Sequence, residues 1–237
     1  MSSLHVVGAS LFTASWDHTV VSWDILTGEV RRVFRGFADK VYAVRCYEGK
    51  VYAGGEENFV ICWDEETAAR VTSYKGHRDD VTCLTLAGGF LYTGSEDRTV
   101  KKFDLMTQKC ELTFSGHTST VKCVECAWSD SWNAFCLYSC SYDCTARSWD
   151  TETGDCLAEF RGHGGWVYCV KVRDGVLYTG SRDNTVKAWD DFTGREIRTF
   201  DGRESEDDTD TYAIYCIDVA DTDVDEMHLL SDEEQDG

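Results

Sequence analysis

The feature that most constrains this chain is a repeat of about 40 residues. An aromatic residue followed by aspartate recurs as Trp23-Asp24, Trp63-Asp64, Phe103-Asp104, Trp149-Asp150 and Trp189-Asp190, at spacings of 40, 40, 46 and 40. Upstream, Gly76-His77, Gly116-His117 and Gly162-His163 keep step with the last three pairs, and Gly36-Phe37 and Gly202-Arg203 hold the same place in decayed form. A period of this length means one supersecondary unit copied along the chain, each copy burying an apolar face against its neighbours.

Between these markers the sequence alternates apolar and polar residues, as over 81–86, 90–93 and 99–103. A period of two predicts half-buried strands. Turn chemistry separates them: Gly88-Gly89, the run from Ser95 to Arg98, and the Thr-Gly pairs at 27–28, 153–154 and 193–194. Each unit therefore reads as a four-stranded antiparallel meander. The units fall at about 4–35, 41–75, 81–115, 121–161 and 167–201, with one further strand near 213–219.

These markers resemble the WD-repeat β-propeller family over most of the chain. The resemblance implies an all-β fold of four-stranded blades, about five of them plus one strand of a sixth. It also implies a buried hydrogen-bonded set in each blade, made of a third-strand Trp, a second-strand Ser, a His before the first strand and an Asp in the following turn. Two units match it fully, with His117, Ser141, Asp143 and Trp149, and with His163, Ser181, Asp183 and Trp189. A third has His77, Ser95 and Asp97 but ends in Phe103, which has no indole N–H. Unit one has Ser15, Asp17 and Trp23 without a histidine, and unit two, with Phe37, Gly55 and Glu57, is the most degenerate. Seven blades are common in the family. Five units with an unfinished sixth imply an open or incomplete ring, a truncated product, or one completed by a partner chain.

Composition removes several function classes. No stretch approaches the ~20 apolar residues of a membrane span. The first ten residues carry no basic segment followed by an apolar core, so the cytoplasm, or the nucleus, is the expected location. Of the net charge of −20, residues 201–237 hold 15 acids and one Arg, or −14, which leaves −6 for residues 1–200. No basic stripe exists to displace counterions from a phosphate backbone, which disfavours nucleic acid, and anionic membranes are disfavoured likewise. The segments 201–210 and 218–237 are expected to be solvated, solubilising tails. Ser205 and Ser231 each precede several acids, as an acidophilic kinase requires.

Twelve cysteines invite disulfide or metal readings. Cys83, Cys123, Cys169 and Cys216 recur at one strand position and are expected to be core residues. Cys123 and Cys126, with Cys136, Cys140 and Cys144, have a zinc-like ring, but residues three apart on a strand face opposite sides. Asp221, Asp223 and Asp225 open like a calcium loop, yet Glu226 stands where the sharp turn needs glycine. No metal or cofactor is expected. The recurrence of Ser, His and Asp at blade spacing also argues against a hydrolase, because a nucleophile needs one unique exposed copy.

What remains is a non-enzymatic scaffold or adaptor for protein or peptide partners. In the family, the loop before the first strand and the turn after the second share one face around the channel. Repeat alignment places Trp16, Lys40, Tyr42, Lys122, Tyr142, Trp166, Tyr168, Arg182 and Tyr215 there, while unit three offers Asp80, Thr82 and Glu96. Aromatics and arginine are the residue types that dominate interface energetics. Unit four is longer by six residues over 127–134, and Trp128 and Trp132 in that insertion form a second candidate surface on the opposite face. The run from Gly89 to Lys101 resembles the propellers of F-box ubiquitin-ligase receptors and of some kinase-targeting domains. Recruitment of substrates to a ubiquitin ligase is therefore the alternative reading.

Overall fold

A computed structural model of the chain describes residues 2–201 and 213–219. The acidic stretches 202–212 and 220–237 lie outside the described residues, and with them Gly202-Arg203, Ser205, Ser231 and the calcium-like spacing from Asp221.

The described residues form five antiparallel sheets in chain order, each of four strands, with no helix. Blade one is β1 (Ser3–Val7), β2 (Ser10–Ala14), β3 (Val20–Asp24) and β4 (Val30–Phe34). Blade two is β5 (Val41–Tyr47), β6 (Lys50–Gly55), β7 (Glu57–Asp64) and β8 (Arg70–Lys75). Blade three is β9 (Val81–Ala87), β10 (Phe90–Ser95), β11 (Thr99–Asp104) and β12 (Cys110–Ser115). Blade four is β13 (Val121–Ser129), β14 (Ala134–Ser141), β15 (Thr145–Asp150) and β16 (Cys156–Arg161). Blade five is β17 (Val167–Arg173), β18 (Val176–Ser181), β19 (Thr185–Asp190) and β20 (Glu196–Asp201). Every strand pairs only with its sequence neighbours, the up-and-down order that short turns permit.

The repeated aspartates make those turns. After the third strand, one carboxylate oxygen of Asp24, Asp64, Asp150 or Asp190 accepts the backbone N–H three residues on, at 2.7–2.9 Å, so the chain reverses without an unsatisfied donor. After the second strand, Asp17, Asp97, Asp143 and Asp183 accept the N–H and hydroxyl of the Thr two residues on. The residue between, His18, Arg98, Cys144 or Asn184, takes a left-handed φ of 68–71°. Few non-glycine residues do so, and the Asx turn holds them there.

The core lies between blades. On one side of blade one, Phe12, Ala14, Val20 and Phe34 pack against Val51, Ala53, Ile61 and Trp63 of blade two. Three equivalent clusters join blades two to three, three to four and four to five. An aromatic pair recurs at each junction: Phe34 with Trp63, Tyr74 with Phe103, Phe114 with Trp149 and Phe160 with Trp189, at 5.8–6.1 Å between centroids. Such pairs contribute about 0.5–1.5 kcal/mol each beyond the area they bury.

Glycine is required where the first strand of the next blade crosses. A Cβ at Gly54 or Gly94 would fall 2.6–2.7 Å from a Val81 or Val121 methyl. At Gly180 it would meet Ile214 at 2.7 Å, and the Ile214 N–H donates to Ser181 O at 2.9 Å, as Val41 N–H does to Ser15 O. Residues 213–219 thus occupy the place of the innermost strand of a sixth blade. They form no ladder, because no second strand of that blade stands beside them among the described residues.

Candidate functional site

The buried hydrogen-bonded sets differ from the sequence expectation in one member. In blade four the Trp149 indole N–H donates to Ser139 Oγ at 2.8 Å, which lies 2.8 Å from His117 Nε2, and His117 Nδ1 lies 2.8 Å from Asp143. Ser141, expected in that role, instead donates to Ser119 O and accepts the Asp143 N–H. Blade five repeats the pattern with Trp189, Thr179, His163 and Asp183, while Ser181 takes the turn. In blade three Thr93, not Ser95, meets His77, and no indole donates to it. Blade one keeps only the contact of Trp23 with Thr13, and blade two has Ala53 there, so Trp63 donates to Arg35 O. The relay position lies ten residues before the aromatic in every unit, and its mixture of Ser, Thr and Ala hides it beside the more uniform serine two residues later.

Burial sets the protonation of these groups. It pushes His163 below the usual imidazole range, against the pull of Asp183. A neutral imidazole fits a single direction of donation, Trp189 to Thr179 to His163 Nε2, with Nδ1–H to Asp183. Burial works against the carboxylates of Asp97, Asp143 and Asp183, yet hydrogen bonds from the histidine, the following Thr and a backbone N–H outweigh it, holding Asp97 and Asp143 well below the usual range and lowering Asp183 as well. Ser139 and Thr179 have no exposed surface, so no substrate reaches them.

The face formed by the loops before the first strands and the turns after the second strands, the upper face, holds the candidate aromatics in two groups, with Trp16, Trp166 and Tyr215 exposed and Tyr42, Tyr142 and Tyr168 half-buried. In the larger, the Tyr142 and Trp166 rings stack at 4.4 Å and 17°. Tyr168 meets both edge-on, and Tyr215 from the trailing segment lies 4.7 Å from Tyr168. Arg182 lies over Trp166 at 4.7 Å, and Lys122 over Tyr142 at 6.0 Å. The strand-end positions fix this geometry: Tyr142 and Arg182 open the turns after β14 and β18, and Trp166 precedes β17. The second group belongs to blades one and two. Lys40 lies 5.7 Å from the Trp16 ring and 2.5 Å from Glu56, which also accepts the Tyr42 hydroxyl at 2.5 Å. Those two donors hold the Glu56 carboxyl down at about 2.

Blade three separates the groups with acid. Asp79, Asp80 and Glu96 cluster there, and burial together with the neighbouring negative charges pushes Asp80 up to about 6. Thr82 is buried, its hydroxyl donating to Gly94 O at 3.1 Å and meeting Val121 O. The acids form the one metal-type grouping among the described residues. All twelve cysteines are free thiols. Cys123 packs in the junction of blades four and five and Cys126 in that of blades three and four, so the zinc-like spacing brings no tetrahedron together. Cys83 and Cys169 are buried, Cys123 is half-buried, and Cys216 is exposed where the sixth blade is unbuilt.

The insertion of blade four lengthens a hairpin rather than making a free loop, since Trp128 belongs to β13. Trp128 is exposed, with Phe135 edge-on at 5.4 Å. Trp132 folds back instead, 4.8 Å from Phe192 of blade five. Beneath it Ser129 and Tyr138 donate to the buried Asp191 at 2.7 and 2.9 Å. The two tryptophans therefore do not form a joint surface.

A family model described as WD domain, G-beta repeat matches residues 69–104, 108–150 and 154–190. No curated protein matches the sequence. Among solved structures, the computationally designed Ika8 protein is similar at 27% identity and a TM-score of 0.75, over 86% of this chain and 62% of that one. The structure of U3-55K is similar at 20% identity and a TM-score of 0.76, over 84% of this chain and 64% of that one. The chain thus spans less than two thirds of the length of either. With three matched repeats and five blades joined through repeated aromatic junctions, the chain belongs to the WD-repeat β-propeller family.

Proposed function

We propose that the protein is a non-enzymatic scaffold that binds protein or peptide partners through the upper face of blades four and five. WD-repeat propellers serve generally as interaction platforms, and one observation carries the reading to this face. Tyr142, Trp166, Tyr168 and Tyr215 form a continuous aromatic cluster beside Arg182 and Lys122, on a surface that the blades hold rigid. Rigid aromatics bury large areas with few rotors lost, which is what interface anchors require. The only Asp-His-hydroxyl relays among the described residues recur from blade to blade and are sealed, which supports a role without chemistry.

Recruitment of phosphorylated substrates to a ubiquitin ligase is less well supported. Lys40 is committed to Glu56, and Asp79, Asp80 and Glu96 repel anions from the adjacent blade. Proximity labelling in cells tests the proposal. A defined set of labelled proteins that disappears with Trp166→Ala is expected. Labelling no different from that of the labelling enzyme alone contradicts it, and enrichment of ligase subunits would favour the ligase reading.

A further inference from the structure

Blades three, four and five carry a cysteine at one position of the innermost strand: Cys83 on β9, Cys123 on β13 and Cys169 on β17. In blades three and five the residue directly opposite on the second strand is glycine, Gly94 or Gly180. A Cβ at either glycine would come within 2.6–2.7 Å of the cysteine Sγ across the ladder. Blade four breaks this pattern, because Cys140 stands opposite Cys123. Both residues pack in the core between blades four and five.

Residues directly opposite in an antiparallel pair point to the same face with Cβ atoms about 4.5–5.5 Å apart, so a small closure brings them to the ~3.5–4.5 Å that a disulfide spans. The chemistry of the pair is uneven. A hydrogen bond from the Cys140 thiol, helped by one from the Val170 backbone, favours a thiolate at Cys123 and holds it below the usual thiol range against its burial. Cys169 has backbone partners too, at Gly180 and Ile217, yet burial pushes it up, as it does Cys83. The second thiol is the difference. Burial pushes Cys140 itself up, so Cys140 keeps its proton while Cys123 gives its proton up. Cys123 is half-buried and Cys140 has no exposed surface, so a small oxidant reaches Cys123 first.

We propose that Cys123 and Cys140 form a peroxide-reactive dithiol that closes to a disulfide across β13 and β14. The Cys123 thiolate attacks the O–O bond of hydrogen peroxide and becomes a sulfenic acid, while the hydroxide that leaves takes up the thiol's former proton as water. The Cys140 sulfur then displaces the sulfenic hydroxyl, and its own proton leaves with that group as a second water. Two thiols and one peroxide thus become one disulfide and two waters, each sulfur losing one electron and the peroxide gaining both. The pair belongs to one blade, and the proposal does not depend on what the aromatic face binds.

The test exposes the full, reduced chain to substoichiometric hydrogen peroxide, alkylates the remaining thiols at intervals and maps disulfides by peptide mass spectrometry. The crosslink between Cys123 and Cys140 is expected to form before the exposed thiols Cys110, Cys156 and Cys216 are oxidised, and to be reversed by dithiothreitol. Cys140→Gly restores the residue of blades three and five. It is expected to abolish the crosslink and to slow the oxidation of Cys123 itself, since the hydrogen bond that favours the thiolate is gone. An unchanged melting temperature of the variant excludes misfolding, and the order of oxidation in the wild-type chain decides the claim if the variant melts lower. Oxidation of the exposed thiols while Cys123 and Cys140 stay reduced, a crosslink from Cys123 to Cys83 or Cys169 instead, or equally fast oxidation of Cys123 in a stable Cys140→Gly chain overturns the inference.

Discussion

Ser139 and Ser141 lie two residues apart on the same face of β14, and their different duties test the account at residue scale. Replacing Ser139 leaves the Trp149 indole and a His117 nitrogen buried without a partner, so Ser139→Ala should cost about 1–3 kcal/mol in urea unfolding. A cost near zero would show that the relay is not the buried link it forms here. The carboxylates make a second prediction. The folded-state pKa values of Asp97, Asp143 and Asp183 are depressed, so their stabilisation is complete above the unfolded value of about 4 and is lost as pH falls below it. Neutral His163 adds loss in the same direction, beginning nearer its unfolded value of about 6.5. The melting temperature should therefore decline gently below about pH 6.5 and steeply below about pH 4, with the steep limb shallower in Asp143→Asn. The aspartates were legible in the sequence because their turns demand that residue type. The relay hydroxyl was not, because Ser and Thr satisfy it equally and the uniform serine beside it serves the turn.

At the scale of the element, the strands followed from alternation and the turns from Asp, Gly and Thr, since both signals depend on chemistry within a few residues. The insertion of blade four was less legible. Its length was plain, but whether a tryptophan points to solvent or to the next blade depends on Phe192 and Asp191, more than 50 residues away. Trp132→Ala should destabilise the chain by about 1–2 kcal/mol through lost ring contact, whereas Trp128→Ala should change stability by less than about 0.5 kcal/mol. Equal effects in chemical denaturation would contradict this division. The cysteines obey the same limit: their shared strand position was visible, but Cys216 is exposed because burial there depends on a neighbouring strand.

For the whole molecule, the repeat dictated five blades, while the division of the upper face did not follow from alignment alone. Alignment placed nine residues on one surface. Their contacts separate Lys40 and Tyr42, bound to Glu56, and Trp16 beside Lys40 from the cluster around Trp166, with the acids of blade three between. That separation makes the larger cluster the centre of the functional claim. The most direct test is quantitative affinity purification of the full chain from cells, comparing wild type with Trp166→Ala, Arg182→Ala and Trp128→Ala. Proteins retained by the wild type and by Trp128→Ala should fall at least tenfold with Trp166→Ala and Arg182→Ala, about 1.4 kcal/mol or more of binding energy. Equal recovery across all four would contradict the assignment of the aromatic face as the binding surface.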